Sequence, residues 1–350
     1  MKDNRVIVVN ATALRIGGAL TILRQFLLNI EENNCRYILF VDQSADITCS
    51  KSNVEVIRLN KTAMLSRIVW DWFGLNKWLK EHDVIPGLCI SLQNTSIRLS
   101  HACPRLIYLH QPLPFSDKKW SPFKKEEYKF FLYKKFYSYF IFRFVDVETL
   151  FVVQTDWIKN GLIEKFGIAN DKISVFKPDL SEFDKNEIKP LNSSPGKKII
   201  FYPATPIIYK NHIEILNALS YLRNAGNDVS DILVCFTFHK ADSPRLTEVV
   251  RSEGLEDLVK FMGPISYSEV LAYYKESAAV AFPSYIETFG LPLIEAAEFG
   301  KIILVADEPY SKDVLAGYDR AKFLPINDSK AWAGALKTVI QNPEEENNNQ

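Results

Sequence analysis

Short apolar runs alternate with longer helix-like stretches twice along this chain, and that alternation favours parallel sheets covered by helices over other architectures. The first series has strands at Val6 to Val9, Tyr37 to Val41 and Val54 to Leu59, with a helix from about Gly18 to Ile30. It continues through strands Leu88 to Leu92, Arg105 to Leu109 and Phe151 to Gln154, with helical stretches near 64–81 and 125–143. The second series opens at Ile199 to Tyr202 and carries further strands at Ile232 to Phe236, Val259 to Met262 and Ala278 to Phe282. Helices are expected between them from about Asn211 to Gly226, near 244–253 and near 266–276. Such Val- and Ile-rich runs suit strands buried on both faces. Between the series, Asp184 to Lys198 lacks apolar periodicity and holds Pro190, Pro195 and Gly196, so it reads as a linker. At 350 residues the chain exceeds the size at which one core stops growing. The expected organisation is an α/β domain over 1–183, a linker over 184–198, a second α/β domain over 199–343 and a polar tail over 344–350.

Composition excludes several functions. The 42 basic and 42 acidic residues cancel, which argues against nucleic-acid binding through a general basic field. Five scattered cysteines with no Cys-x-x-Cys pair indicate neither a disulfide framework nor a zinc site, and a reducing cytoplasm is the compartment they fit. No run reaches the roughly 18 apolar residues that span a bilayer, so peripheral membrane contact is the only kind expected.

The densest chemical signal lies between Ser284 and Gly300, where Glu287 and Glu295 stand across a strand-to-helix junction. Pro292 suits a first helical turn and Gly300 the residue after a last one, so the helix is expected to start near Leu291. Its first N–H groups, from about Thr288 to Leu293, lack intrahelical partners and form the positive pole of the helix, where a diphosphate can sit. Neither carboxylate suits a phosphate, but both can accept hydrogen bonds from sugar hydroxyls. The plainer alternative is that these acids only complement the helix dipole.

Other candidates are weaker on residues alone. Gly17-Gly18, between the first strand and helix, can bring backbone N–H groups near an anion, or can simply turn the chain. Arg15 is a possible helper there. Lys210 falls in a strand-to-helix loop, where a cation can neutralise a leaving diphosphate. His110 ends a strand in His110-Gln111-Pro112-Leu113-Pro114 and is either a structural residue or a site group. The segment 118–144 carries eight basic against two acidic residues, interleaved with aromatics. It suits an anionic membrane surface, or is a core helix with solvated lysines. No Asp-x-Asp triplet or His-Glu-x-x-His motif suggests a metal, so metal-independent chemistry with no cofactor is expected.

Glu287-x-Phe289-Gly290-x-x-x-x-Glu295, followed by Ala296, resembles the signature of retaining glycosyltransferases of family 4. The resemblance implies the GT-B fold, two Rossmann-like α/β domains facing each other across a cleft. It assigns Glu287 to the donor sugar, the Phe289, Gly290 and Leu291 backbone to sugar and phosphates, and Glu295 to the ribose. Thr288 stands where the family commonly has Gly. Lys210-Asn211 stands in place of the family's Lys-Gly, and Thr205 aligns with its usual Arg. Gly17-Gly18 resembles the family's N-terminal Gly-Gly loop, and His110 the histidine that faces the donor sugar, in a setting similar to bacterial surface-polysaccharide enzymes. The implied reaction is transfer from a nucleotide diphosphate sugar to a saccharide acceptor on a polyprenyl lipid, with retention at the anomeric carbon. It would take place in the cytoplasm or at the inner face of the plasma membrane. A catalytically silent protein of the same fold, binding a nucleotide sugar or a partner enzyme, is the alternative that Thr205 keeps open.

Overall fold

The computed structural model describes residues 5–60, 63–178, 188, 191 and 196–341. Most of the expected linker over 184–198, and the expected tail over 344–350, lie outside the described residues. The chain divides into two compact units, Met1–Pro178 and Asp179–Gln350.

The first unit holds β1 (Val6–Ala11), α1 (Gly17–Asn29), β2 (Arg36–Asp42), β3 (Val54–Leu59) and α2 (Met64–Val69). A π-helical turn, Trp70–Gly74, leads directly into α3 (Leu75–Glu81). Then come β4 (Leu88–Ser91), β5 (Arg105–Leu109), α4 (Lys125–Phe142), β6 (Thr149–Val153), α5 (Asp156–Phe166) and β7 (Ile173–Val175). The strands form one sheet in the order β3-β2-β1-β4-β5-β6-β7. Every pair in it is parallel.

Period-two alternation sorts the side chains of this sheet. Ile7, Val9, Leu39, Val41 and Ile90 pack with Leu23 and Leu27 of α1 on one face. Val8, Ile38, Phe40 and Cys89 pack with Trp70, Leu75 and Leu79 on the other. The register Val8↔Ile38 and Val9↔Leu39 keeps each set on its own face, because a one-residue slip would exchange them. Farther along, Ile107, Leu109, Phe151 and Val153 enclose Ile141 of α4 with Ile158 and Leu162 of α5.

The second unit contains β8 (Lys198–Tyr202), α6 (His212–Asn224), β9 (Ile232–Phe236), α7 (Pro244–Ser252), β10 (Val259–Phe261) and α8 (Tyr267–Glu276). It continues with β11 (Ala279–Phe282), α9 (Leu291–Glu298), β12 (Ile302–Ala306), α10 (Pro309–Val314), β13 (Ala321–Leu324) and α11 (Ser329–Gln341). Its sheet is ordered β10-β9-β8-β11-β12-β13, again with parallel pairing. Local chemistry explains the helix starts. Ser243 caps α7 ahead of Pro244. Ser266 and Glu269 form a reciprocal capping box on α8. On α6, the Glu214 carboxylate accepts from Asn327 N at 3.1 Å and Ser329 Oγ at 2.9 Å, which ties the start of α11 to this helix.

Both units therefore have the parallel-sheet Rossmann-like architecture expected from the sequence. Elements that the sequence reading did not place are α5 and β7 in the first unit and β12, α10, β13 and α11 in the second. Most of the segment 118–144 forms α4. In α4, the exposed Tyr128, Phe136 and Tyr139 and the lysines do not segregate to opposite faces, and Ile141 is its fully buried position.

Candidate functional site

In the second unit the chain leaves β8, builds β9 and β10 on one side, and returns to build β11 to β13 on the other, so strand order reverses between β8 and β11. Ligands of open parallel sheets bind beyond the carboxyl ends of strands at such a switch. Two predicted residues meet there. Lys210 follows β8, Glu287 follows β11, and Lys210 Nζ donates to Glu287 Oε1.

The loops beneath this pair are pinned. Tyr202 OH donates to the Lys210 carbonyl at 2.7 Å, and Tyr285 N donates to the Tyr209 carbonyl at 3.0 Å. Tyr310 OH donates to the Ser284 carbonyl at 2.5 Å, and Ser284 Oγ donates to Glu287 Oε1 at 2.7 Å. The pair is largely shielded, with 17% and 13% of the two side chains exposed. Partial burial strengthens both its attraction and the cost of leaving either charge alone.

Helix α9 starts beside Glu287, as expected. Gly290 has φ of +82° and a Cβ there would lie 3.3 Å from Leu293 Cδ1, so this position needs glycine. Pro292 occupies the first turn and no side chain caps the helix start. Thr288 is half-buried, Phe289 is buried, and Leu291 is the first helical residue. Glu295 sits in the next turn, and its oxygens accept from Tyr267 OH at 3.1 Å and Tyr274 OH at 2.8 Å. Burial raises its carboxyl above the ordinary range, and the two hydroxyls oppose that rise. Tyr267 is exposed, so one face of this trio meets solvent.

The Asn211 departure has a structural reason. Asn211 has φ of +53°, a left-handed conformation that Gly adopts freely and Asn tolerates. Its buried Nδ2 lacks a hydrogen-bond partner, as does Nε2 of the neighbouring His212. Thr205 is exposed.

In the first unit the strand order reverses between β1 and β4. Gly17, with φ of +58°, and Gly18 open α1, and both are exposed with open space where a Cβ would stand. Arg15 is half-buried in the preceding loop. His110 follows β5. Its backbone N donates to Asn94 Oδ1 at 2.5 Å, and its Nε2 lies 3.0 Å from the Leu92 carbonyl and 3.2 Å from Asn94 Nδ2. Burial pushes its pKa down to about 4, so the imidazole is neutral near neutral pH. It is therefore a polar contact there, with no positive charge to offer a phosphate. A hollow of about 290 Å³ near Pro86 and His101 lies at the opposite, amino ends of β4 and β5.

Residues 183–350 match the family Glycosyl transferases group 1. Curated relatives match part of the chain. The chain is 26% identical over 190 residues to the O-antigen chain mannosyltransferase RfbU of Salmonella typhimurium strain LT2, covering 53% of this chain and 50% of that protein. It is 24% identical over 208 residues to the D-inositol 3-phosphate glycosyltransferase of Corynebacterium aurimucosum, covering 56% and 49%. The chain spans about half the length of the curated relatives it matches. Among solved structures, Anabaena Alr3699/HepE in complex with UDP and glucose aligns with a TM-score of 0.63 at 14% identity, covering 97% of this chain and 90% of that one. WaaG, a glycosyltransferase involved in lipopolysaccharide biosynthesis, aligns at 0.68 and 14% identity, covering 97% and 91%. These structural likenesses establish the GT-B fold.

Sequence reasoning missed the residues that hold the candidate site in place: Tyr202, Ser284 and Tyr310 around the Lys210–Glu287 pair, and Tyr267 and Tyr274 around Glu295. One signal was available. Tyr267 and Tyr274 lie two turns apart in α8 and so share a helix face.

Proposed function

We propose that this protein is a retaining glycosyltransferase that moves a sugar from a nucleotide diphosphate donor to a saccharide acceptor on a polyprenyl lipid, in bacterial surface-polysaccharide assembly. The observation that carries the reading is the Lys210–Glu287 pair at the β8/β11 switch, beside the uncapped start of α9. Donor phosphates at that helix start would draw Lys210 away from Glu287, and the freed carboxylate would accept sugar hydroxyls. Glu295, with Tyr267 beside it, takes the ribose. Thr288 and the Phe289, Gly290 and Leu291 backbone complete the donor site. No metal is required, because the helix start and Lys210 supply the positive charge.

Peripheral contact with an anionic membrane fits the lipid-linked acceptor. It is supported by the exposed Tyr128, Phe136 and Tyr139 of α4, with Lys135 Nζ 5.6 Å from the Phe136 ring centroid. Among the described residues, no helix is long and apolar enough to cross a membrane.

The test is incubation with UDP, GDP and dTDP sugars and a lipid-linked acceptor extract, comparing wild type with Glu287→Gln. Transfer by wild type and a loss of at least about a hundredfold in the variant are expected. Near-normal turnover by the variant removes Glu287 from the mechanism. Thr205, exposed where the family's arginine is usual, favours a second reading, a catalytically silent nucleotide-sugar-binding or partner-binding protein. Donor binding without product in every combination would select it.

A further inference from the structure

The first unit buries a carboxylate that the proposed donor site does not use. Asp71 lies in the π-helical turn between α2 and α3 and is 4% exposed. Its Oδ1 accepts from Asn10 Nδ2 and Gln93 Nε2, each at 2.8 Å, and its Oδ2 accepts from Thr95 Oγ1 at 2.6 Å. The donors are themselves oriented. Gln93 Oε1 accepts from Thr12 Oγ1 and Ala13 N, both at 2.9 Å, which turns the Gln93 NH₂ toward Asp71. Asn10 is in β1 and Gln93 follows β4, so the cluster sits at the carboxyl ends of the two strands between which the sheet order reverses. π-helical turns recur at functional sites.

A purely structural tie between the turn and the sheet would need no opening beside it. There is one. Asp71, Gln93 and Thr95 line a pocket of about 60 Å³ with Arg67, Tyr133 and Tyr137. The two tyrosine rings are stacked, with centroids 5.3 Å apart and an interplanar angle of 19°. The volume exceeds the roughly 10–15 Å³ that one water-sized group needs. It therefore admits the hydroxyl-bearing edge of a small polyol ring and leaves the ring body against the tyrosines. A carboxyl acceptor, amide and hydroxyl groups and an aromatic wall together match one ligand chemistry, a saccharide, whose hydroxyls both donate and accept and whose C–H faces pack on aromatic rings.

We propose that this pocket binds neighbouring hydroxyls of a saccharide, with Asp71 accepting from one of them and Tyr133 covering the ring. The inference rests on the saccharide-acceptor reading given under Proposed function and names the residues of the first unit that select the sugar. Burial pushes the Asp71 carboxyl up to about 7, while its three donors and the Arg67 charge favour ionisation. A further hydroxyl donor from the ligand would act in the same direction as those groups.

The test uses the full chain and methyl pyranosides of glucose, galactose, mannose, rhamnose and N-acetylglucosamine, read by saturation-transfer NMR and titration. At least one glycoside is expected to bind wild type. Its affinity should fall at least about tenfold in Asp71→Asn, the loss of a hydrogen bond to a charged group. Tyr133→Leu, at a half-buried position, should weaken the same glycoside. Deoxy analogues of that glycoside, tested on wild type, should reproduce the tenfold loss at one hydroxyl, and this arm stands even where Asp71→Asn fails to fold. Absence of binding by every glycoside, or affinity unchanged in a folded Asp71→Asn and across the deoxy series, overturns the proposal. UDP, GDP and dTDP binding is measured on the same samples. Nucleotide binding alongside Asp71-independent glycoside binding sinks this inference alone, whereas no nucleotide binding at all sinks the donor reading.

Discussion

Lys210→Met isolates the contact on which the proposed donor site rests. It removes one charge from a pair whose side chains are only 17% and 13% exposed and leaves Glu287 with the Ser284 hydroxyl at 2.7 Å. Deleting one member of a fully buried pair costs about 3–5 kcal/mol. The retained hydroxyl bond and the residual exposure reduce this to roughly 2 kcal/mol. Glu287→Gln should cost less, about 1 kcal/mol, since the flexible lysine stem lets the ammonium turn to water. If the two groups interact, the double variant loses about 1 kcal/mol less than the sum of the singles. Urea unfolding of all four proteins, with hydrogen exchange followed on peptides from β8 and β11, reads this coupling within the second unit. The same variants report function. A nucleotide diphosphate held at about a hundred times its Kd stabilises wild type by about 2.7 kcal/mol, and a tenfold loss of affinity in Lys210→Met lowers that to about 1.4 kcal/mol. UDP is the first probe. Additive costs within about 0.3 kcal/mol, or equal nucleotide stabilisation of wild type and Lys210→Met, would refute the reasoning.

Other expectations follow from separate parts of the molecule. Transfer should persist in a metal chelator, and activity lost there and restored by magnesium would contradict a metal-free site. Gly74→Ala places a Cβ 2.4 Å from Trp70 Cε3, and this overpacking in the π-helical turn should destabilise the first unit by about 1–3 kcal/mol in thermal unfolding, so an unchanged Tm would mean the turn yields freely. Burial among Tyr202, Phe236 and Phe238 pushes the His212 pKa down from 6.5 to about 3. The unfolded chain therefore takes a proton that the native state refuses: stability from this group is complete above about pH 6.5 and lost as pH falls toward 3, by up to about 5 kcal/mol. His212→Gln should flatten that acid limb, and identical acid slopes would show that the histidine is not held neutral. Replacing Lys124, Lys125, Lys134 and Lys135 by Gln should reduce sedimentation with anionic vesicles; unchanged binding would leave α4 an ordinary surface helix.

How legible each part was follows from where its signal resides. The strands β1, β2, β8, β9 and β11 were readable because burial on both faces makes them continuous apolar runs, and α9 because Pro292 and Gly300 bracket it. β7 has only three residues and carries no pattern of its own. β12, Ile302 to Ala306, is fully buried and as strong an apolar run as β11, so its signal was present in the sequence although the reading stopped at Gly300. The Lys210–Glu287 contact depends on the parallel order of β8 and β11, which are separated by about 80 positions and by two intervening strands. Residue spacing cannot encode that order. Asp71 was invisible for a related reason: in sequence it is one acid in a Trp- and Phe-rich helix, and only the π-helical turn and the ends of β1 and β4 make it the centre of a network.

The two sheets use the same device with opposite polarity. Where strand order reverses in the second unit, the ends of β8 and β11 present a lysine, a carboxylate and an open helix start, a combination that receives anions while reserving one acceptor for hydroxyls. Where it reverses in the first, the ends of β1 and β4 present amides and a hydroxyl that all donate to one carboxylate, beside stacked tyrosines. That arrangement places a carboxyl acceptor where a polyol hydroxyl can donate and where no cation is on hand in the network itself to hold a phosphate. On the proposed readings, the cation that meets a diphosphate lies in the second unit, and the Asp71 network of the first adds a separate set of hydroxyl-binding groups. That separation explains why changing Asp71 should alter which sugar is accepted while leaving nucleotide affinity intact.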